Sequence, residues 1–276
     1  MPALIHLAAA MAATTFATLA QAHPGPGEGP DERLAAIEPA AEPVDVGLAG
    51  EYPADVARYI LASGVQEASL APDGRHVAVR TLVTGTPQLW IVPAAGGAPR
   101  QLTFGNGVTG WRWSPDSQSL VYAADNAGDE QEAYFRISLD GRSEQLVVPA
   151  RPGAFRVMGD VLPDNRRLVF ASTERNGLDF DIYVRDLGTG EQRRVFEGRH
   201  AWYPRSVSPD GRWLVMSQAV GEDSDNLFLV DLERSVRTTL SQPERRANHT
   251  DGGFAWMPDA SGFYFATNDG REFAAL

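Results

Sequence analysis

A Pro-Asp step, followed by turn residues and then an apolar β-type run, recurs five times in this chain. The copies are Leu70-Ala-Pro-Asp-Gly-Arg-His-Val-Ala-Val79, Trp113-Ser-Pro-Asp-Ser-Gln-Ser-Leu-Val-Tyr122 and Leu162-Pro-Asp-Asn-Arg-Arg-Leu-Val-Phe170. Two more follow, Val207-Ser-Pro-Asp-Gly-Arg-Trp-Leu-Val-Met216 and Trp256-Met-Pro-Asp-Ala-Ser-Gly-Phe-Tyr-Phe265. The prolines stand at 72, 115, 163, 209 and 258, which gives spacings of 43, 48, 46 and 49 residues. A period in the forties built from strands and turns predicts propeller blades, each a four-stranded sheet. The predicted fold class is therefore all-β, a β-propeller.

Local chemistry explains the step itself. Proline presets φ for the second position of a type I turn, Asp bonds a following backbone N–H, and Gly takes the left-handed position. The apolar residue ahead of each step (Leu70, Trp113, Leu162, Val207, Trp256) is expected to end the innermost strand of its blade. These residues read as structural, not catalytic.

The repeats parse into blades over about 65–102, 108–148, 155–196, 203–240 and 252–276, within a propeller region of 53–276. Asp140-Gly141 and Gly188-Thr189-Gly190 fall between third and fourth strands, where a tight hairpin needs positive φ. The fifth copy supplies two strands and the start of a third, so about four and a half blades are expected, an incomplete ring. A propeller loses its sheet edges only when the ring closes. The expectation is a fragment of a longer protein.

Upstream, residues 4–20 form an Ala-rich apolar run ending at Ala20-Gln21-Ala22, a small-x-small pattern, and then His23-Pro24-Gly25-Pro26-Gly27. This reads as a secretory signal peptide over 1–22, cut after Ala22, although no Lys or Arg precedes the run; a plain N-terminal helix is the alternative. Residues 23–52 read as a flexible leader rich in Pro, Gly, Ala and Glu. Val56, Tyr59, Ile60 and Ser63 stand at helical spacing between Pro53 and Gly64, which predicts one short helix. The expected location is secreted or periplasmic, with no membrane span.

Charge and residue usage exclude several functions. The net charge of −12 argues against a nucleic-acid partner, because phosphate binding needs a basic face. Cysteine is absent, which removes disulfides, thiolate metal sites and Cys nucleophiles. All 24 basic residues are Arg. His76, His200 and His249 show no zinc-ligand spacing, and Asp125-Asn126-Ala127-Gly128-Asp129 lacks the ligand pattern of a calcium loop. No metal and no cofactor are expected.

Ser208-Pro-Asp-Gly-Arg-Trp-Leu-Val215, followed by Asn226-Leu-Phe-Leu-Val-Asp-Leu232, resembles the propeller repeat of two groups. One is the N-terminal domain of the prolyl oligopeptidase family of serine peptidases; the other is the periplasmic propeller of the Tol system. Asp55-Val-Ala-Arg-Tyr59, Ala124-Asp-Asn-Ala-Gly-Asp-Glu-Gln131 and Phe263-Tyr-Phe-Ala-Thr-Asn-Asp-Gly-Arg-Glu-Phe273 resemble the acylaminoacyl-peptidase and dipeptidyl-aminopeptidase-like branch of the peptidases. That resemblance implies a propeller that filters short peptides above an α/β-hydrolase domain with a Ser-His-Asp triad. This chain carries no G-x-S-x-G; the nearest string, Ala260-Ser261-Gly262, lacks the first glycine. The expected function is the filter portion of an exported serine peptidase, with peptide as substrate and the catalytic domain missing from this chain. No catalytic residue is assigned. The alternative is a stand-alone periplasmic propeller that binds a protein partner.

Four residues are candidates for substrate binding. Glu130 and Glu132 belong to an acidic cluster, Asp129 to Glu132, between a second and a third strand. In aminopeptidase relatives propeller glutamates hold a substrate's α-amine, and a carboxylate pair suits an ammonium. The string does not match the double-Glu helix of the dipeptidyl peptidases, and a solvated hairpin tip is the stronger reading. A second acidic run, Glu222 to Asp225, occupies the same place in the fourth blade. His200 and His249 lie just before or at inner strands, where a side chain either faces the central channel or packs in a turn.

Overall fold

The computed structural model describes residues 64–126, 128–241, 246–250 and 253–276. The signal peptide, the leader and the helix expected over residues 53–64 fall almost entirely outside them. Every regular element among the described residues is a strand.

Four antiparallel sheets of four strands follow one another along the chain. The first contains β1 (Val65–Leu70), β2 (His76–Thr81), β3 (Gln88–Pro93) and β4 (Arg100–Gln101). The second contains β5 (Gly110–Trp113), β6 (Ser119–Ala124), β7 (Ala133–Ser138) and β8 (Glu144–Val148). The third contains β9 (Arg156–Val161), β10 (Arg167–Ser172), β11 (Asp181–Asp186) and β12 (Gln192–Phe196). The fourth contains β13 (Trp202–Val207), β14 (Trp213–Ala219), β15 (Asp225–Asp231) and β16 (Val236–Thr239). A two-stranded sheet of β17 (Phe254–Trp256) and β18 (Phe263–Phe265) comes last. The start of a third strand expected there is a single bridge, Thr267 to Ala275. The sheets form an open series and do not close into a ring. β1 is exposed along nearly its whole length.

Side-chain alternation stacks the blades. On β10, Leu168 and Phe170 point into a core shared with Val121, Ala123, Tyr134 and Val148 of the second blade. The intervening Val169 and Ala171 point the other way, into a core with Trp202, Leu214, Met216 and Phe228 of the fourth. β6 divides likewise: Leu120 and Tyr122 meet Ala78, Leu89 and Ile91 of the first blade, while Val121 and Ala123 meet the third. Middle strands buried on both faces therefore read as continuous apolar runs rather than as clean alternation.

The five Pro-Asp turns are built alike. In each, the residue before Pro accepts a backbone bond from the residue after Asp: Gly74 to Ala71, Ser117 to Ser114, Asn165 to Leu162, Gly211 to Ser208 and Ala260 to Met257. The Asp carboxylate accepts the N–H two residues on: Arg75, Gln118, Arg166, Arg212 and Ser261. The residue after Asp is left-handed in all five, with φ between 58° at Asn165 and Ala260 and 72° at Gly211. Glycine fills this place only twice; Ser117, Asn165 and Ala260 bear the conformational cost. Two of those side chains gain a bond to the preceding blade. Ser117 Oγ accepts the Asp73 N–H at 3.0 Å, and Asn165 Oδ1 accepts the Asp116 N–H at 2.9 Å. One expectation is corrected here. Val161, not Leu162, ends the innermost strand of the third blade, because Leu162 is the turn's backbone acceptor and is wholly buried.

Two outcomes follow for stability. Asn165→Ala removes the link to Asp116 while keeping a strained left-handed residue, whereas Asn165→Gly removes the link and relieves the strain. Chemical denaturation is expected to rank wild type above Asn165→Gly above Asn165→Ala, with the alanine variant losing about 1–2 kcal/mol. The Ser208 hydroxyl, at 2.5 Å, and then the Arg212 amide hold the Asp210 carboxyl below its ordinary 3.8. Hydrogen bonds from Ser261 do the same for Asp259. At Asp116 and Asp164 burial opposes the fall, but hydrogen bonds to Ser114 and Gln118 and to Arg166 and Arg167 outweigh it. A depressed folded-state pKa adds stability that is complete above the unfolded value and is lost as pH drops through the folded one. Thermal midpoints are therefore expected to be level from pH 7 to about 5 and to fall below about pH 4. Asp210→Ala should lower the neutral midpoint and shallow that acid fall.

Candidate functional site

The first strand of every sheet is its inner edge, and these edges converge: β5 lies beside β9, and β9 beside β13. β9 and β13 approach closely at Gly159, where a Cβ would stand 2.9 Å from Pro204 Cβ and 2.8 Å from Val169 O. Pro204 itself sits within β13, a place open to proline because an inner edge has no ladder partner on one side.

The Pro-Asp turns ring one end of this axis. They enclose a cavity of about 350 Å³ lined by Pro72, Pro115, Pro163 and Pro209, with Trp113 and Trp256 beside them. Its rim is largely apolar. Its polar lining is Asp160 and Ser208. Asp160 stands three residues before its proline, the position held by Ser69, Arg112 and Ser206 in the other blades, with Ala255 in the fifth. These four side chains stitch the blades together. Ser69 Oγ accepts from Trp111 Nε1 at 2.8 Å and Trp113 Nε1 at 3.1 Å. Asp160 Oδ1 accepts from Arg112 Nε at 3.3 Å, and its Oδ2 takes the Val207 backbone N–H at 3.0 Å. Ser206 Oγ accepts from Trp256 Nε1 at 3.2 Å. Asp160 thus joins the second, third and fourth blades and places a half-exposed carboxylate in the cavity wall.

The four residues singled out in the sequence lie elsewhere and do not converge into one site. Glu130 is exposed, left-handed at φ 58°, and its N–H bonds Asp125. Glu132 is half-buried; its carboxylate accepts from Thr109 Oγ1 at 2.5 Å, and its carbonyl accepts from Arg156 Nη1 at 2.7 Å. Burial raises the Glu132 pKa, against the opposing effects of Thr109 and Arg156. The Arg156 Nε and Tyr134 Oη atoms are buried and have no hydrogen-bond partner among the described residues. His200 is exposed at φ 65°, with its N–H on Asp179 Oδ1. His249 is buried. Its ring meets Thr267 Oγ1 at 2.7 Å and its N–H bonds the buried Asp225, so it ties the fourth blade to the fifth. No group of His, Asp and Glu among the described residues has the geometry to hold a metal ion.

Counting back three positions from each Pro-Asp step would have exposed Arg112 and Asp160 in the sequence.

A succession of four-stranded sheets joined by Pro-Asp turns has a counterpart among known families. The sequence matches PD40, the TolB beta propeller domain, over residues 61–258. The chain belongs to that family. Dipeptidyl-peptidase 5 of Porphyromonas endodontalis is 27% identical over 214 residues, covering 57% of this chain and 30% of that protein. Dipeptidyl aminopeptidase BIII of Pseudoxanthomonas mexicana is 23% identical over 223 residues, covering 75% of this chain and 30% of the relative. The chain thus spans under a third of the length of these two curated relatives. In fold it resembles TolB from Acinetobacter baumannii, with a TM-score of 0.58 at 18% identity over 75% of this chain and 50% of that one. The TolB propeller family therefore reaches this chain together with propeller regions of peptidases.

The Asp160 bridge makes a separable prediction. Asp160→Ala leaves the Val207 N–H and the Arg112 guanidinium without their acceptor, and urea titration is expected to show a loss of about 1–3 kcal/mol. Asp160→Asn keeps an oxygen for Val207 and gives up only the charge pairing with a half-exposed Arg112, a loss of about 1 kcal/mol or less. Equal losses in the two variants would remove the Val207 bond as the dominant contribution.

Proposed function

We propose that this chain is the propeller portion of an exported serine peptidase that acts on short peptides, with a signal peptide over 1–22 and the propeller over 53–276. The observation that carries the reading is the sequence relationship, across the repeats, to two dipeptidyl peptidases of which the chain spans 30%. No nucleophile elbow occurs in the sequence, and in this reading the triad is carried by an α/β-hydrolase domain outside residues 1–276. The propeller's part is steric and orienting. A stack of blades beside the active site admits an extended peptide and refuses a folded protein. Glu130 and Glu132 are the groups we assign to a substrate's α-amine, a role in which an acceptor carboxylate on a fixed backbone suits an ammonium. His200 and His249 act through the loops they order.

The test uses the polypeptide as its natural host makes it. Purified and treated with a fluorophosphonate probe, it is expected to be labelled at a serine outside residues 1–276 and to release dipeptides from a chromogenic substrate. Glu132→Gln is then expected to raise KM more than it lowers kcat, and to do so only for substrates with a free α-amine. A mature product no longer than this chain, unlabelled and inactive, would favour the other reading, a stand-alone propeller that binds a protein partner.

A further inference from the structure

A second cavity of about 350 Å³ opens between the first and second blades, away from the Pro-Asp turns. Its lining combines three elements. Tyr122 and Phe135, on neighbouring strands β6 and β7, stack with ring centroids 5.2 Å apart. The connection from the first blade to the second adds Phe104, which is 75% exposed, together with Asn106 and Val108. The β6–β7 connection supplies Asp125, Asn126 and Gln131, and β8 supplies Glu144.

Two properties of this lining select a ligand. The first is charge: Asp125 and Glu144 are both acidic, and none of the lining residues is basic. The second is that both carboxylates are held in place before anything binds. Tyr122 Oη donates to Glu144 Oε1 at 2.6 Å, and Asp125 accepts the N–H groups of Gly128 at 3.1 Å and Glu130 at 3.2 Å. Glu144 has its second oxygen in hand, and the neutral tyrosine leaves the carboxylate charge uncompensated. Aromatic faces with fixed carboxylates at their margin attract a cation, and most strongly a planar one that stacks and hydrogen-bonds at once. The volume matches a ligand of amino-acid to small-peptide size.

We infer that this inter-blade cleft is a binding site for a guanidinium group, carried on a peptide's arginine side chain or on a small free molecule. The plane stacks on Phe135, the more exposed ring of the pair, Phe104 covers its outer side, and Glu144 takes its N–H groups. The site is distinct from the axial cavity and from the α-amine role of Glu132. It stands whether or not the peptidase reading does, since binding, not hydrolysis, is what is measured.

The experiment is calorimetric titration of the full polypeptide that carries the propeller. Agmatine and an N-acetylated, amidated Ala-Arg-Ala peptide are the two ligands, with the isosteric citrulline peptide as a neutral control. Binding of agmatine alone identifies a small-molecule site, and binding of the peptide identifies a side-chain site. In either case citrulline is expected to bind at least about tenfold more weakly. Phe104→Ala changes an exposed side chain and Glu144→Gln keeps an oxygen for the Tyr122 hydroxyl, and each is expected to weaken binding about tenfold with little change in the thermal midpoint. The proposal is overturned if neither guanidinium ligand binds, if citrulline binds equally well, or if both variants bind like wild type. A response to Ca²⁺ in place of guanidinium would overturn it as well.

Discussion

Two-sided burial of the middle strands governs this molecule. A sheet such as β9–β12 presents Leu168 and Phe170 to one neighbour and Val169 and Ala171 to the other, so either face alone would leave a large apolar surface in water. Burial of such side chains is worth about 1.5–3 kcal/mol each, which makes stacking the main stabilising contribution and an isolated blade unstable. Everything else in the fold answers to that demand. Short outer strands such as β16 tolerate exposure because they close no core, and the Pro-Asp turns fix where each new sheet begins.

The turns do more than reverse the chain. Each closes the innermost strand of its blade, and in four blades the residue three positions before the proline bonds a neighbouring blade. This is how an unremarkable local motif delivers Ser69, Arg112, Asp160 and Ser206 to the joints between successive blades. Asp160 shows the economy of the arrangement. The inner edge of β13 has no strand partner for the Val207 N–H, and a carboxylate from the neighbouring blade supplies the acceptor.

The fold was largely legible in the sequence because turn chemistry is local and blade periodicity is regular. Proline, Asp and a left-handed residue act within four positions, so no tertiary information is needed to place β2, β6, β10, β14 and β18. Leu162 misleads because it is a large apolar residue directly before the proline; the strand end itself, Val161, stands two residues before Pro163, as Leu70, Trp113, Val207 and Trp256 do before theirs. The site was legible only in part. His249 looked like a channel residue, yet its imidazole is engaged by Thr267, which lies 18 positions away. The guanidinium cleft depends on Phe104 and Glu144 meeting across two blades, a proximity that no spacing rule encodes. Glu132 was found as part of an acidic run, while the partners that set its character, Thr109 and Arg156, come from other strands.

The left-handed residues after each Asp carry an asymmetry of their own. Ser117 and Asn165 hold the preceding blade through a side-chain oxygen, whereas Gly211 and Ala260 have none to offer. The first three blades are consequently clasped through the turns themselves, whereas the later ones are joined beside the turns, by Val207 to Asp160 and Trp256 to Ser206. At this end of the molecule, turn and inner strand thus share the joining of the early blades, and the inner strand alone carries it in the later ones.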